Sequence, residues 1–83
     1  MKFKGYEIYV SDRPTKKYMA IVDGRKVHFG AKGYEQYHDK LGHYSRWDHH
    51  DPVRRQSYRS RHGAQGYHLV KGSPAWFSWH VLW

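Results

Sequence analysis

The C-terminal segment, Ser73 to Trp83, restricts what this chain can fold into more than any other stretch. Ser73 and Pro74 are typical of a helix start, because serine caps the first turn and proline lacks only an N–H that would have no helical partner. The residues that follow are almost all apolar or aromatic. Since a small polar chain cannot leave such a segment in water, the sequence predicts a helix over 73–83 around which the other elements pack.

One face of this predicted helix carries aromatic rings. They occupy the i, i+3, i+4 and i+7 positions: Trp76, Trp79, His80 and Trp83. Aromatic stripes at helical spacing usually belong to a protein core, and we favour that interpretation. The alternative is a docking face for a second protein, which an exposed apolar patch would indicate.

Three earlier segments have the period-two alternation of β-strands. They are Lys2 to Val10, Lys17 to Val22 and Arg25 to Phe29. Asp23 and Gly24 join the last two, and this dipeptide is typical of a type I′ turn, in which both central residues have positive φ. The pattern predicts an antiparallel meander over 2–29, followed by a loop over 30–50.

A second helix is predicted over residues 51–62. Asp51 and Pro52 have the residue types of an N-cap and a first helical position. Gly63 is the residue type expected at the C-terminal end of such a helix.

The predicted elements form a single α+β domain over residues 1–83, with a three-stranded antiparallel meander followed by two short helices packed on one face. In the connection over 63–72, Tyr67, Leu69 and Val70 are candidates for further core contacts. A chain of this length buries only about 60% of its unfolded surface, so its core is thin. It has no cysteine for a disulfide or a thiolate metal site.

The charge of the chain indicates the class of its partner. Fifteen Lys and Arg against seven Asp and Glu give a formal net charge of +8 with histidine neutral. This excess favours a polyanion, most of all nucleic acid, although charge that serves only solubility is the alternative. The sequence has no transmembrane-length span and no apolar run of a signal peptide. We therefore expect a protein that is not secreted and binds neither membranes nor a small-molecule substrate.

The predicted helix over 51–62 concentrates basic and aromatic residues on one half of its circumference. They are Arg54, Arg55, Tyr58, Arg59, Arg61 and His62. Guanidinium groups stay charged and bind phosphate with two parallel hydrogen bonds, and a tyrosine among them can stack on a base. An alternative stays open, because Tyr58, Arg61 and His62 also have a spacing that suits the core. The remaining arginines would then be the solvent-facing ones: Arg54, Arg55 and Arg59.

The arginines and the tyrosine of this helix, together with two lysines from the meander and its end, form the predicted phosphate-binding set. The set is Lys26, Lys32, Arg54, Arg55, Tyr58, Arg59 and Arg61. Contacts to the phosphate backbone are salt-sensitive and independent of base sequence. The sequence thus predicts a nucleic-acid-binding protein that is not an enzyme, with no catalytic residue and no cofactor.

The loop over 30–50 and its end are rich in histidine and aspartate, which serve as zinc ligands in proteins. The candidates are His38, His43, His49, His50, Asp39, Asp48 and Asp51. Their spacing matches neither a zinc finger nor a His-Glu-x-x-His helix, so the sequence predicts no metal site. A metal-dependent nuclease that uses these residues for acid–base chemistry is the less favoured enzyme alternative.

Three segments carry a family resemblance: Tyr18 to Tyr34, Asp51 to His62 with its arginine run, and Ser73 to Trp83. In these segments the chain resembles an uncharacterised family of short basic proteins encoded by large double-stranded DNA viruses of eukaryotes, such as phycodnaviruses and mimiviruses. The resemblance implies a viral or virus-derived source, and a place in the virion or inside the infected cell. It supplies no activity. In that setting, the alternative function is a minor capsid or cement protein that docks through its aromatic C-terminus.

Overall fold

The computed structural model describes residues 1–83, apart from the side chain of Tyr67. Four antiparallel strands form a sheet in the order β1-β2-β3-β4. The strands are β1 (Lys2–Phe3), β2 (Tyr6–Val10), β3 (Lys16–Val22) and β4 (Arg25–Ala31). The α-helices are α1 (Pro52–Gln65) and α2 (Pro74–Phe77), and α2 continues as a π-helix over Ser78–Leu82. Short 3-10 turns cover Ser45–Trp47 and Tyr67–Leu69. The α+β class is confirmed.

The sheet has four strands rather than the predicted three, because the segment Lys2 to Val10 is itself a hairpin. Lys4 and Gly5 have φ of 48° and 88°, so the chain reverses there and Phe3 pairs with Tyr6. Period-two alternation is the same in one long strand as in two short ones. The dipeptide Lys-Gly is also not among the strongest hairpin signals, so the sequence did not indicate the reversal.

The turn between β3 and β4 is the one that the sequence predicts. Asp23 and Gly24 have φ of 50° and 79°, both positive as a type I′ turn requires, and Val22 pairs with Arg25 across it. This turn sets the register of the longest strand pair in the sheet.

We expect Gly24→Val to lower the free energy of unfolding by about 1 kcal/mol or more, because a β-branched residue resists positive φ. Urea unfolding followed by circular dichroism would measure the change. Arg25→Val is the matched control, since Arg25 is exposed on the adjoining strand and its loss should cost less than about 0.5 kcal/mol. A Gly24→Val protein as stable as the wild type would contradict the turn assignment.

The core lies between the sheet and the C-terminal helix, by which we mean α2 with its π-helical continuation. The sheet contributes Ile8, Tyr18, Ala20 and Phe29. The C-terminal helix contributes Trp76, Phe77, Val81 and Leu82, and the loop after β4 adds Tyr44. The prediction that the aromatic segment is core is therefore confirmed for these residues.

The buried face of the C-terminal helix is not the face predicted from a 3.6-residue period. Ser73 caps the helix as expected, since its Oγ accepts a hydrogen bond from the Trp76 N–H at 3.1 Å. The later turns are wider, and the Trp83 N–H donates to the carbonyl of Ser78, five residues back, at 3.1 Å. As a result the buried positions are 76, 77, 81 and 82, while Trp79 is only half-buried.

Helix α1 begins as predicted and ends later than predicted. The Asp51 carboxylate accepts hydrogen bonds from the N–H groups of Val53 and Arg54. The helix then runs past the expected end at 62 to Gln65, with Gly66 at the C-cap with φ 73°. Gly63 lies inside the helix, where a Cβ atom would be 3.5 Å from the Trp79 ring. That distance is an ordinary van der Waals contact, so the packing does not require a glycine at position 63, and Gly63 does not end the helix.

The two helices do not both lie on the sheet. The C-terminal helix packs on β4, and α1 packs on the 3-10 turn Tyr67–Leu69 and on rings of the C-terminal helix. In the connection, Leu69 and Val70 are exposed, contrary to prediction, and the predicted contact of the Tyr67 side chain lies outside the described part of the chain. Within that described part, no helix has the length and apolar character needed to cross a membrane.

Candidate polyanion-binding cleft

A cleft of about 430 Å³ opens where the β3–β4 ladder ends. The last pair of the ladder, Lys16 and Ala31, forms one wall. The loop after β4 contributes Tyr34, Glu35 and Gln36, and α1 and the C-terminal helix close the other side. The cleft thus lies between the sheet and α1, where the C-terminal helix separates them.

Basic groups dominate the lining of this cleft. They are Lys16, Lys17, Arg54, Arg61 and His62, against one acidic side chain, Glu35. Arg54 donates to Glu35 Oε1 at 2.9 Å, and both side chains are about half-exposed, so this pair contributes little to stability. Its geometric effect is to hold the Arg54 guanidinium beside the cleft. An enclosed surface with this excess of positive charge attracts anions.

Lys17 supplies a buried charge at the inner end of the cleft. Its ammonium donates to the carbonyl of Tyr34 and to Gln36 Oε1. Burial lowers the pKa of Lys17, and the nearby Asp39 and Asp48 carboxylates oppose that shift. Through these two hydrogen bonds, Lys17 holds the loop against β3.

Tyr58 does not offer a ring face to a nucleic-acid base. The Trp83 ring stacks on it at a centroid distance of 4.2 Å with planes 3° apart, and the His62 ring stacks at 4.2 Å. Two rings cannot share one face at that distance, so both faces of Tyr58 are covered. Burial raises the pKa of Tyr58, whereas burial and the charge of Arg61 lower the pKa of His62. The predicted stacking role of Tyr58 is therefore wrong.

Arg55 and Arg59 also have structural contacts, although the sequence analysis placed them in solvent. Arg55 Nε and Arg59 Nη2 donate to the main-chain oxygen of Trp83 at 2.8 and 3.1 Å. The Arg55 guanidinium lies over the Tyr37 ring and that of Arg59 lies over the Trp79 ring. These residues fasten α1 to the C-terminal helix and to the loop after β4. The assignment of solvent-facing arginines was thus wrong for both.

Arg61 is the reverse case, because it is exposed and lines the cleft where a core-facing position was the alternative. Lys32 is exposed and directly follows Ala31, a lining residue. Lys26 lies at the other end of the β3–β4 ladder, next to the turn, and pairs with Asp12 at 2.7 Å. Of the predicted set, the structure therefore brings Arg54, Tyr58 and Arg61 to one cleft, with Lys32 next to its wall.

Lys16 lines the cleft and is half-exposed, although it is not among the residues predicted from the sequence. Two features of the sequence could have indicated it. It directly precedes the strongest predicted strand, and alternation places it on the side of Tyr18, two residues later. A lysine at the end of a strand, outside its core residues, lies where the sheet meets solvent, so a ligand can reach it.

Comparison with known proteins identifies a family but no activity. A family model described as "Family of unknown function (DUF5754)" matches residues 6–62. Searches of curated proteins and of solved structures gave no match. The matched segment contains Lys16, Lys32, Arg54 and Arg61, and it ends before the C-terminal helix. Because the match spans more than half of the chain, the protein belongs to the family of unknown function DUF5754.

Proposed function

We propose that the protein is a non-catalytic nucleic-acid-binding protein that holds the phosphate backbone at the basic cleft. The observation that supports this function most directly is the convergence of Lys16, Arg54 and Arg61 on a cleft with one acidic side chain. These three residues come from β3 and α1, so the fold assembles a cationic site that no single segment contains.

The chemistry of the site suits phosphate groups carried on a polymer. Arginine binds phosphate through a planar fork of donors, and lysine adds a compact point charge. Several basic groups line one cleft between the sheet and α1, with exposed Lys32 beside one wall, and a polymer that carries a charge on every unit can contact more than one of them. Such contacts give binding that depends on salt and not on base sequence.

The residues that bind in this proposal differ from those expected from the sequence. Arg55 and Arg59 are excluded because their guanidinium groups hold the C-terminal helix. Tyr58 is excluded because its ring faces are covered. The proposed phosphate ligands are Lys16, Lys32, Arg54 and Arg61.

The rival proposals have less support. Docking of the aromatic end onto a capsid would require accessible rings, but Trp76 and Phe77 are buried and Trp83 stacks on Tyr58. The location in a virion or an infected cell stays a prediction from the resemblance, and the absence of enzymatic activity stays a prediction from the residues of the chain. The nuclease alternative would place the reaction at the histidine-rich loop, but none of its histidines lines the basic cleft.

We expect Arg61→Ala to weaken binding to a fluorescein-labelled DNA duplex about five- to tenfold at 0.1 M salt, and to flatten the salt dependence by about one unit of slope. Fluorescence anisotropy at four salt concentrations, repeated with single-stranded RNA, measures both quantities. The melting temperature should stay unchanged, since the Arg61 side chain is exposed.

Arg25→Ala is the matched control, because it removes the same charge from the far end of the β3–β4 ladder. Its affinity and salt slope should equal those of the wild type. An equal loss of affinity in Arg25→Ala and Arg61→Ala would show that binding depends on the net charge of the protein and not on the basic cleft. If the wild type binds neither DNA nor RNA at low salt, the proposed function is wrong.

A further inference from the structure

A second cluster of polar groups lies in the loop between β4 and α1, and the proposed function does not use it. Two extended segments run side by side there, with Gln36 and Asp48 forming a parallel bridge. The N–H of His49 donates to the Gln36 carbonyl at 2.9 Å, and that of His50 donates to the Tyr37 carbonyl at 3.1 Å. This backbone pairing brings residues 38, 48 and 50 together from distant places in the loop.

Three potential metal ligands meet at this point. His38 Nδ1 lies 3.0 Å from His50 Nε2 and 3.3 Å from Asp48 Oδ2. The His50 Nε2 atom lies 3.7 Å from the same carboxylate oxygen. A point about 0.6 Å outside the plane of these atoms lies about 2.05 Å from all three, which is the bond length that zinc makes to histidine and carboxylate.

The separations also favour one coordination geometry. Donors at the corners of a tetrahedron with bonds of about 2.05 Å are about 3.3 Å apart, close to the mean of the three distances here. Donors on one face of an octahedron with similar bonds would be about 2.9 Å apart. The set of two imidazoles and one carboxylate therefore suits zinc, and its nitrogen content disfavours magnesium or calcium.

The surrounding residues hold the carboxylate in the orientation that a ligand needs. Asp48 Oδ1 accepts hydrogen bonds from Gln36 Nε2 at 2.6 Å and from the Asp39 N–H at 2.8 Å. The second oxygen, Oδ2, is left to face the two histidines. The Asp48 side chain is only 3% exposed, so its position is fixed by packing. Outer hydrogen bonds of this kind orient the ligands of metal sites in general.

Both histidines have exposed side chains, and the backbone of His50 is constrained. The side chains of His38 and His50 are 50% and 59% exposed, which leaves access for an ion and room for water as a fourth ligand. His50 has φ 53°, an uncommon conformation for a residue other than glycine. Such conformations persist where the surrounding structure holds them, and they concentrate at functional sites.

We propose that His38, Asp48 and His50 bind one zinc ion, with a fourth position open to solvent. The site is independent of the phosphate contacts, since none of its ligands lines the basic cleft. No metal site was predicted from the sequence, because the spacing of these residues matches neither a zinc finger nor a His-Glu-x-x-His helix. This site is instead assembled by the pairing of two loop segments.

Zinc binding to the chelator-treated protein tests the proposal by isothermal titration calorimetry. We expect one zinc per chain with a dissociation constant of micromolar or below, and an absorption spectrum of tetrahedral cobalt when Co²⁺ replaces zinc. His38→Ala and His50→Asn should each weaken binding at least about 100-fold. Asparagine is chosen at position 50 because it tolerates positive φ.

His43→Ala is the control, since His43 lies in the same loop but outside the cluster, and it should bind zinc as the wild type does. Arg61→Ala should also bind zinc normally, which separates this site from the proposed nucleic-acid contacts. The proposal is overturned if the wild type binds no zinc at 100 µM of the ion. It is also overturned if His38→Ala and His50→Asn keep wild-type affinity for zinc. A loss of zinc affinity in His43→Ala as large as in those two variants would overturn it too, because it would indicate binding by scattered surface histidines.

Discussion

Phe77→Ala is expected to remove most of the protein's free energy of unfolding at room temperature. Phe77 is fully buried, its ring stacks on Phe29 at 5.1 Å, and the rings of Tyr6 and Trp76 meet it edge-on at 5.1 and 5.0 Å. Truncation of such a residue to alanine costs about 3–5 kcal/mol. Small domains are stable by only about 5–15 kcal/mol, and a thin core without disulfides belongs at the low end.

Urea unfolding, followed by tryptophan fluorescence and circular dichroism, measures this effect. Leu69→Ala is the control, because Leu69 is 76% exposed and its truncation should cost less than about 0.5 kcal/mol. Trp79→Ala should cost less than Phe77→Ala, since Trp79 is half-buried between His68 and Arg59. If Phe77→Ala unfolds at the same urea concentration as Leu69→Ala, the core has been assigned to the wrong residues.

The contrast between Phe77 and Trp79 shows what sequence periodicity predicts and what it does not. The sequence predicted that the C-terminal segment is helical and core, from its cap and its apolar content. The face that it predicted depends on a period of 3.6 residues, whereas the turns over Ser78–Leu82 are those of a π-helix. A wider turn moves the buried positions by one residue in each turn. No local signal in the sequence indicates that widening.

Periodicity also predicts only part of the arrangement at the basic cleft. A helical wheel correctly groups the arginines of α1 on one half of the helix, because that grouping depends only on periodicity. Which of them turn inward depends on where the main-chain oxygen of Trp83 lies, 28 residues beyond Arg55. Contacts this distant in sequence are not encoded in the spacing of the helix itself. For this reason Arg55 is held by a structural contact where a solvent-facing position was expected. Arg61 lines the cleft where a core-facing position was the alternative.

The zinc cluster differs from both cases, because its residue types were recognised while its assembly was not. Histidine and aspartate are visible in the loop, but the distance between His38 and Asp48 depends on the parallel bridge at Gln36. Gln36 itself is fully buried between the Lys17 ammonium and the Asp48 carboxylate. A glutamine in a polar loop carries no signal of such a role in sequence alone.

Gly30→Ala is expected to destabilise the protein by about 2–4 kcal/mol, for two separate reasons. Gly30 has φ 79°, a conformation that strains any residue with a Cβ by about 1 kcal/mol or more. A Cβ at this position would also lie 2.9 Å from Leu82 Cδ1 and 3.2 Å from Lys17 Cβ. Because Leu82 is buried in the core, it has little space to move, and overpacking of this kind costs about 1–3 kcal/mol.

Gly24→Ala separates the two reasons, because Gly24 has the same φ of 79° and no atom within 4 Å of its ideal Cβ position. This control should show the backbone strain alone, so the two variants should differ by about 1–3 kcal/mol in their free energies of unfolding. Chemical denaturation of both proteins under the same conditions gives that difference directly. Equal destabilisation would mean that Gly30 is required only for its backbone conformation. The close approach of the C-terminal helix to β4 at the floor of the cleft would then contribute nothing to the choice of glycine.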